Sequence, residues 1–253
     1  MRTTKIEWTE RTWNPVTGCD KLSEGCTHCY AENMARRLCA MRISKYANGF
    51  KVTMHEDSLK EPFTWCRPST IFVCSMGDLF HPEVPFEFID KVMLIIKRTP
   101  KHKYQILTKR AERMAEYFST RPIPRNAWLG VTVEVERTKF RIEHLRNLNA
   151  KVKFLSCEPL LSDLGTLDLS GIDWVIVGGE SGTSARPMKE EWVLNIKNQA
   201  KQSNIPFFFK QWGTWGQDGI KRNKKANGKL LQGKVVQLSL IHISEPTRLA
   251  LIS

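Results

Sequence analysis

Residues 173–182 read Asp-Trp-Val-Ile-Val-Gly-Gly-Glu-Ser-Gly, a short apolar run that ends in two glycines and an acidic residue. Short runs rich in β-branched and aromatic residues are typical of strands that are buried on both faces, as in a parallel sheet. The following segment, residues 189–202, places Trp192, Ile196 and Gln199 on one stripe at helical spacing. This stretch therefore predicts one strand followed by one helix.

The same unit recurs along the chain. Six further apolar runs cover residues 13–18, 70–75, 104–108, 127–133, 152–156 and 206–210, and helical patterns cover residues 86–99, 109–118 and 135–148. Alternating strands and helices predict a parallel sheet with right-handed crossovers. Seven strands over about 200 residues favour an α/β fold, a partial or near-complete (β/α) TIM-like barrel. No Gly-x-Gly-x-x-Gly follows the first run, which weighs against a dinucleotide-binding fold.

Composition sets the class of protein. The chain has 253 residues, of which 41% are hydrophobic and 26% charged, and this is typical of a globular domain. No apolar run is long enough to span a membrane and the N-terminus lacks a secretory signal, so we expect a cytoplasmic protein with no membrane contact. The formal net charge of +13 favours an anionic partner, with nucleic acid as the first candidate.

The predicted domain organisation is simple. We expect a single barrel domain over residues 1–237, with an insert at residues 44–67 that could form a lid and a basic C-terminal segment at residues 213–237. Residues 238–253 resemble the translation of a sequencing-library adapter, and we expect the native chain to stop near Gln237. The tail is therefore left out of the fold prediction.

The strongest chemical signal is a cysteine cluster. Three of the seven cysteines fall within eleven residues, as Cys19-x6-Cys26-x2-Cys29, and glycines precede the first two. Three thiolates can hold three irons of a [4Fe–4S] cluster and leave the fourth iron open to a ligand. The alternatives are a zinc site with His28 as a fourth ligand, or plain thiols. Cys39 is predicted to lie on the following helix, as part of the core.

Several longer motifs carry a family resemblance. They are Lys5-Ile-Glu-Trp-Thr-Glu, Trp13-Asn-Pro-Val-Thr-Gly-Cys, Cys26-Thr-His-Cys-Tyr-Ala-Glu, Ser75-Met-Gly-Asp-Leu-Phe-His, Leu107-Thr-Lys-Arg, Trp128-Leu-Gly-Val-Thr-Val-Glu, Glu158-Pro-Leu-Leu, Trp174-Val-Ile-Val-Gly-Gly-Glu-Ser-Gly and Phe207-Phe-Phe-Lys-Gln-Trp-Gly. Together they resemble the three-cysteine-motif family of phage and prophage proteins of unknown function. That family is similar to radical S-adenosylmethionine (SAM) enzymes, although the first cysteine gap here is three residues longer than their usual Cys-x3-Cys-x2-Cys.

The resemblance implies a reaction class. The open iron of the cluster would bind SAM, an electron from a flavodoxin- or ferredoxin-like donor would cleave it, and a 5′-deoxyadenosyl radical would abstract hydrogen from the substrate. The expected substrate is a nucleobase, nucleotide or related metabolite in a phage or mobile-element context, with a partner protein as a further expectation. The alternatives are a zinc-stabilised nucleic-acid-binding protein without catalysis, or an Fe–S protein that does not use SAM.

Polar residues follow four of the apolar runs, at the end of the barrel where active sites lie. The cofactor-binding candidates are Ser75, Asp78, Lys109, Glu158, Gly178, Gly179 and Glu180. With SAM as cofactor, Lys109 or Arg110 would pair with its carboxylate, and the acidic residues would hold its amino group or ribose. The two glycines would let the backbone approach a ligand closely. For each residue alone, a role in capping or starting a helix is an equal alternative.

The candidates for a direct catalytic role are Cys74 and Lys109. The surroundings of Cys74-Ser75 and Thr108-Lys109 resemble the spore photoproduct lyase family, in which a cysteine in such a loop returns a hydrogen atom. A core thiol explains Cys74 better, because it lies inside an apolar run. Trp212 and Trp215 either stack on nucleic acid or close the barrel, and the second interpretation is favoured.

Overall fold

The structure is a computed structural model that describes residue 4 and residues 6–240. Its strands are β1 (Arg11–Trp13), β2 (Val16–Thr17), β3 (Thr53–Met54), β4 (Thr70–Val73), β5 (Lys103–Thr108), β6 (Ala127–Thr132), β7 (Val152–Cys157), β8 (Trp174–Gly178), β9 (Phe207–Gln211), β10 (Leu230–Leu231) and β11 (Lys234–Val235). Its α-helices are α1 (Tyr30–Ala40), α2 (Phe86–Arg98), α3 (Ala111–Phe118), α4 (Phe140–Arg146), α5 (Glu190–Gln202) and α6 (Lys224–Asn227).

Seven of the strands form one parallel sheet in the order β1-β4-β5-β6-β7-β8-β9. Six of the seven apolar runs predicted as strands form strands of this sheet, and β4, β6 and β8 are buried along their whole length. The helices cover one face of this sheet. In α2, for example, Phe88, Val92 and Ile96 form the buried stripe, in a helix that starts directly after Pro85.

The sheet is strongly curled. The ring of Trp8 lies 4.7 Å from that of Phe72 on β4 and 6.4 Å from that of Trp174 on β8, measured between ring centroids. These strands are four positions apart in the sheet, which in a flat sheet corresponds to about 19 Å. One indole can contact both only because the sheet wraps around it. Trp8 therefore fills the concave side, together with Phe154 and Phe208.

Among the described residues, β1 and β9 are the two edges of the sheet and do not pair with each other. The free edge of β9 is covered by the chain beyond β11. Phe209 N donates to the carbonyl of Val236 at 2.7 Å, and Leu238 N donates to that of Phe207 at 3.1 Å. Covering an edge in this way removes a template for unwanted strand pairing. The fold is thus an open, partial (β/α) barrel, and the predicted fold class is confirmed.

Two elements differ from the sequence prediction. The first barrel strand is β1 (Arg11–Trp13), and the run predicted as a strand at residues 13–18 leaves the sheet after Trp13. Pro15 cannot donate to a sheet ladder, and β2 pairs instead with β3 in a separate two-stranded antiparallel sheet. The single helix predicted at residues 135–148 is a 3-10 turn, Glu136–Thr138, followed by α4.

The insert at residues 44–67 supports the segment that carries the cysteines. It contains β3 and two 3-10 helices, Ser44–Tyr46 and Asp57–Thr64. Trp13 Nε1 donates to the carbonyl of Ser58 at 2.7 Å, and Cys19 N donates to that of Phe50 at 3.3 Å. The insert therefore packs against the loop after β2 and stabilises it. One of its residues, Phe50, also lines the cavity described below.

Of the tail at residues 238–253, the structure describes residues 238–240, and the rest lies outside the described residues. The predicted domain limits stay predictions. Within the described part of the chain, no helix combines the length and apolar character that crossing a bilayer would demand.

Candidate functional site

A cavity of about 540 Å³ opens at the carboxyl ends of the parallel strands. This volume lies within the usual range for small-molecule and cofactor sites, about 300–1,000 Å³. Cys19, Cys26 and Cys29 all line it. So do the predicted site residues Cys74, Ser75, Asp78, Lys109, Glu158, Gly179 and Glu180, together with Arg110. The structure therefore brings the three cysteines and most of the predicted polar residues to one place.

The cysteine loop, residues 18–29, has a well-defined backbone. Gly18 adopts φ +85°, a left-handed conformation, and a side chain there would collide with the carbonyl of Lys51. A 3-10 turn, Glu24–Cys26, then carries Cys26, and Cys29 occupies the position before the first residue of α1. The loop thus directs its cysteines towards the cavity.

Cys19 is in direct contact with a cation. Arg110 Nη1 donates to Cys19 Sγ at 3.3 Å. Burial raises the pKa of the Cys19 thiol to about 11, and Arg110 opposes this shift only in part. The free thiol is therefore protonated at neutral pH, so a bound metal would have to displace that proton.

Asp78 organises the loops after β4 and β5. Its carboxylate accepts hydrogen bonds from Thr108 Oγ1 at 2.7 and 2.9 Å and from Arg110 Nη1 at 3.0 Å. It also accepts from the backbone N–H groups of Phe80 and Lys109. These partners belong to the chain itself, so Asp78 acts on Cys19 by holding Arg110 in place.

Glu134 is a functional residue that the sequence prediction missed. Its side chain is fully buried beyond the end of β6, and it pairs with Lys109 Nζ at 2.8 Å and with Arg141 Nη1 at 2.7 Å. Ser23 of the cysteine loop also donates to it. Burial acts to raise the pKa of Glu134, but the two cations outweigh burial and hold it below its ordinary value. Lys109, predicted to bind SAM, is therefore engaged with Glu134.

Glu180 anchors the other side of the cysteine loop. Its oxygens accept from Arg186 Nη2 at 2.6 Å and Nε at 2.9 Å, while Arg186 Nη2 also donates to the carbonyl of Glu24 at 2.9 Å. Burial acts to raise the pKa of Glu180, but Arg186 holds it below its ordinary value. His28 Nδ1 lies 3.3 Å from Glu180 Oε1. We call the cysteine loop with Asp78, Glu134 and Glu180 the cysteine wall.

A second part of the cavity lining comes from the carboxyl ends of β7, β8 and β9. Lys210 Nζ donates to both oxygens of Glu158, at 2.7 and 2.9 Å. Next to this pair, Gln211 Nε2 donates to Ser181 Oγ at 3.2 Å. All four side chains line the cavity. We call these four residues the polar wall.

The two glycines after β8 serve the packing of the chain. A side chain at Gly179 would collide with the carbonyl of Trp212, and one at Gly178 would meet the carboxylate of Glu158 at 3.2 Å. Their small size thus lets β8 and the chain after β9 approach each other. Trp212 is buried, and its Nε1 donates to the carbonyl of Leu230, so it packs within the chain and is not free to stack on nucleic acid.

Cys74 and Ser75 lie where β4 meets the cavity. Cys74 is buried with φ +57°, and burial raises the pKa of its thiol to about 12. Ser75 Oγ donates to Asn14 Oδ1 at 3.2 Å, and its carbonyl accepts from the Tyr30 hydroxyl. Cys74 is therefore a core thiol that also borders the cavity.

The donor set of the cysteine loop suits a cluster. Cys19, Cys26 and Cys29 belong to one short loop, and all three line the cavity. In a [4Fe–4S] cluster each thiolate binds a different iron, so three thiolates leave the fourth iron open to a ligand. A structural zinc ion commonly takes four protein ligands, and Nδ1 of His28, the predicted fourth ligand of a zinc site, lies beside Glu180 at 3.3 Å.

Two features characterise this protein. Its fold is an open parallel half-barrel, and a loop with three cysteines lies at the carboxyl ends of the strands. The chain belongs to the family described as "Protein of unknown function (DUF5131)", which it matches over residues 3–238. No curated protein matches the sequence.

The chain is also similar in fold to solved structures of spore photoproduct lyase. The complex with dinucleoside spore photoproduct shares 10% identity, covers 79% of this chain and 65% of that chain, and has a TM-score of 0.45. A cysteine-to-alanine variant with the same ligand shares 13% identity over 89% and 73% of the two chains, with a TM-score of 0.47. A double variant with bound AdoMet shares 12% identity over 79% and 65%, with a TM-score of 0.45. This chain thus spans slightly less than two thirds of the first of these proteins.

Proposed function

We propose that this protein is a radical SAM-type enzyme that holds one [4Fe–4S] cluster through Cys19, Cys26 and Cys29. The observation that carries the proposal is the placement of the loop: its three cysteines line one cavity at the end of a half-barrel where active sites lie. Cys19, Cys26 and Cys29 would hold the cluster, which would supply the electron for reductive cleavage of SAM and so the radical chemistry that acts on a substrate.

The residues of the cysteine wall prepare this site. Glu134 and Arg186 tie the loop to the ends of β6 and β8, through Ser23 and the carbonyl of Glu24 respectively. Arg110 places a positive charge next to Cys19. A fixed loop keeps the three ligands in register, and the surrounding protein limits the access of water and oxygen.

The finer parts of the proposal concern the partners. We expect a ferredoxin- or flavodoxin-like electron donor, and a partner protein as a further component. The net charge of +13 favours a nucleobase, nucleotide or related metabolite as substrate, in a phage or mobile-element context.

The test is anaerobic reconstitution with iron and sulfide, followed by iron analysis and a dithionite-driven SAM cleavage assay. We expect about four irons per chain and 5′-deoxyadenosine as a product. Cys26→Ala should remove both, whereas Cys66→Ala, at an exposed cysteine outside the cavity, should keep both. Stoichiometric zinc without SAM cleavage would contradict the proposal, and a full cluster without cleavage would indicate an Fe–S protein of another kind.

A further inference from the structure

The polar wall has no part in holding the cysteine loop. Glu158 and Lys210 are bonded to each other, and so are Gln211 and Ser181. The side chains of Glu158 and Lys210 are only 19% and 18% exposed, and what exposure they have is towards the cavity that they line. An ion pair of this kind, in the lining of the cavity that the three cysteines share, is placed to contact a bound molecule.

The pair offers a specific pattern of hydrogen bonds. The Lys210 ammonium has three N–H donors and uses two of them on Glu158, while the Glu158 carboxylate keeps free lone pairs. A donor therefore lies directly beside an acceptor. Phosphate or carboxylate alone would meet the negative charge of Glu158. An edge with adjacent N–H and C=O groups, such as that of a nucleobase, can satisfy both partners at once.

The floor of the cavity suits a flat ring. Trp8, Phe72 and Leu107 line it, and the rings of Trp8 and Phe72 are 4.7 Å apart. Trp8 is 4% exposed, and within the described part of the chain its indole N–H has no hydrogen-bond partner. A buried donor without a partner is costly, and an acceptor on a bound molecule would satisfy it. An apolar floor next to polar groups is the pattern by which enzymes bind a base that has left its stack.

The mouth of the cavity carries positive charge. Lys224 of α6 lines the cavity, and Lys225 follows it on an exposed turn. Both belong to the basic segment at residues 213–237. A phosphate attached to a base in the cavity would be within the same lining as Lys224, whose charge suits it.

From this arrangement we infer that the substrate is a nucleotide unit whose base edge contacts Glu158 and Lys210 and whose phosphate lies at Lys224. The inference rests on the proposed function for the reaction itself, but the binding step does not require the cluster. It assigns Glu158, first predicted to bind SAM, to the substrate. The nucleotide unit can be free or part of a single strand, and the two sources differ in the test below.

The test measures equilibrium binding to the full-length protein. A fluorescein-labelled single-stranded DNA 12-mer reports binding by anisotropy, and dTMP, dCMP, dAMP and dGMP serve as competitors. Competition by mononucleotides indicates a free nucleotide, and binding of the 12-mer alone indicates a strand; either result supports the nucleotide class. Failure of the 12-mer and all four mononucleotides to bind overturns the inference, and SAM cleavage by the same reconstituted protein would show that the proposed function survives.

The variants locate the site. Glu158→Gln and Lys210→Met should each lower affinity at least tenfold and change the order of preference among the four bases, since each alters the donor–acceptor pattern. Lys224→Gln should weaken the binding of all four nucleotides equally. It should also lower by about one the number of counterions released when a strand binds, as measured from the salt dependence of affinity. Lys234→Gln, an exposed lysine of β11 away from the cavity, is the matched control and should stay within twofold.

Two results separate this inference from the proposed function. In the first, Glu158→Gln and Lys210→Met both bind as tightly as the wild type, and their circular dichroism shows that they are folded. Nucleic acid then binds elsewhere, and the inference is overturned. In the second, the two variants bind nucleotides more weakly than the wild type, but the protein takes up no iron. The inference is then supported, although the proposed cluster is not.

Discussion

On the cysteine wall, the carboxylates of Asp78, Glu134 and Glu180 are all taken up by cations of the chain itself. On the polar wall, the Glu158–Lys210 pair faces the cavity that both residues line. Both walls are built from residues just past parallel strands, where the barrel places its active site. The difference lies in what the pairs hold: Glu134 and Arg186, the partner of Glu180, bond to the cysteine loop, whereas the Glu158–Lys210 pair joins two residues of the cavity lining.

The largest expected effect is on the cysteine wall. Glu134→Gln removes the charge that pairs with Lys109 and Arg141, and leaves two cations partly or wholly buried without a counter-ion. Breaking a buried ion pair costs about 3–5 kcal/mol. Glu158→Gln on the polar wall should cost less, about 1–3 kcal/mol, since both members of its pair keep some exposure whereas Glu134 has none. Urea unfolding of the full chain measures both, and equal losses in the two variants would contradict the comparison.

The cysteine wall also predicts how stability depends on pH. The pKa values of Glu134 and Glu180 are held below their ordinary values. Such groups stabilise the fold above their unfolded pKa of about 4.3, and this contribution is lost as pH falls through the lower folded pKa. The free energy of unfolding should therefore fall with pH below about pH 5. Urea titrations at several pH values should show a shallower acid slope in Glu180→Gln than in the wild type. An unchanged slope would show that Glu180 does not contribute to the pH dependence of stability.

The fold could be predicted from the sequence because burial on both faces leaves continuous apolar runs. The exceptions have physical causes. β1 (Arg11–Trp13) is an edge strand with polar residues, and the two-residue strands β2 and β3 are too short to show any period. The role of the cysteines could be predicted because three thiols in one short loop are typical of a metal or cluster site.

The networks around the cysteines could not be predicted in the same way. The bond from Arg186 to the carbonyl of Glu24 joins residues 162 positions apart, and no sequence pattern records it. Glu134 is different. It follows the apolar run at residues 127–133 just as Asp78, Glu158 and Glu180 follow theirs, so the same criterion would have found it. Which of these acids are used internally depends on partners that only the fold brings together.

A smaller effect is expected at the cluster itself. Arg110 donates to Cys19 Sγ, and positive charge and hydrogen bonds at ligand sulfur favour the reduced state. Arg110→Gln should lower the midpoint potential of the reconstituted cluster, by about 59 mV if the ratio of reduced to oxidised cluster falls tenfold at fixed potential. A redox titration followed by electron paramagnetic resonance measures this. Arg113→Gln is the matched control, because Arg113 donates to the carbonyl of Val84 and not to a cysteine. A shift shared by both variants would point to net charge alone.

The smallest expected effect concerns the backbone conformation of Cys74, directly after β4. Cys74 has φ +57°, where residues with a side chain are strained by about 1–2 kcal/mol and glycine is not. At an ordinary position glycine is less stable than alanine by about 0.5–1 kcal/mol. Here the order should reverse, with Cys74→Gly more stable than Cys74→Ala by about 1 kcal/mol, while both lose the packing of the same buried thiol. Urea unfolding gives the sign. SAM cleavage that persists in Cys74→Ala would place Cys74 outside the cluster chemistry, whereas substrate turnover that also persists would exclude it as a hydrogen donor.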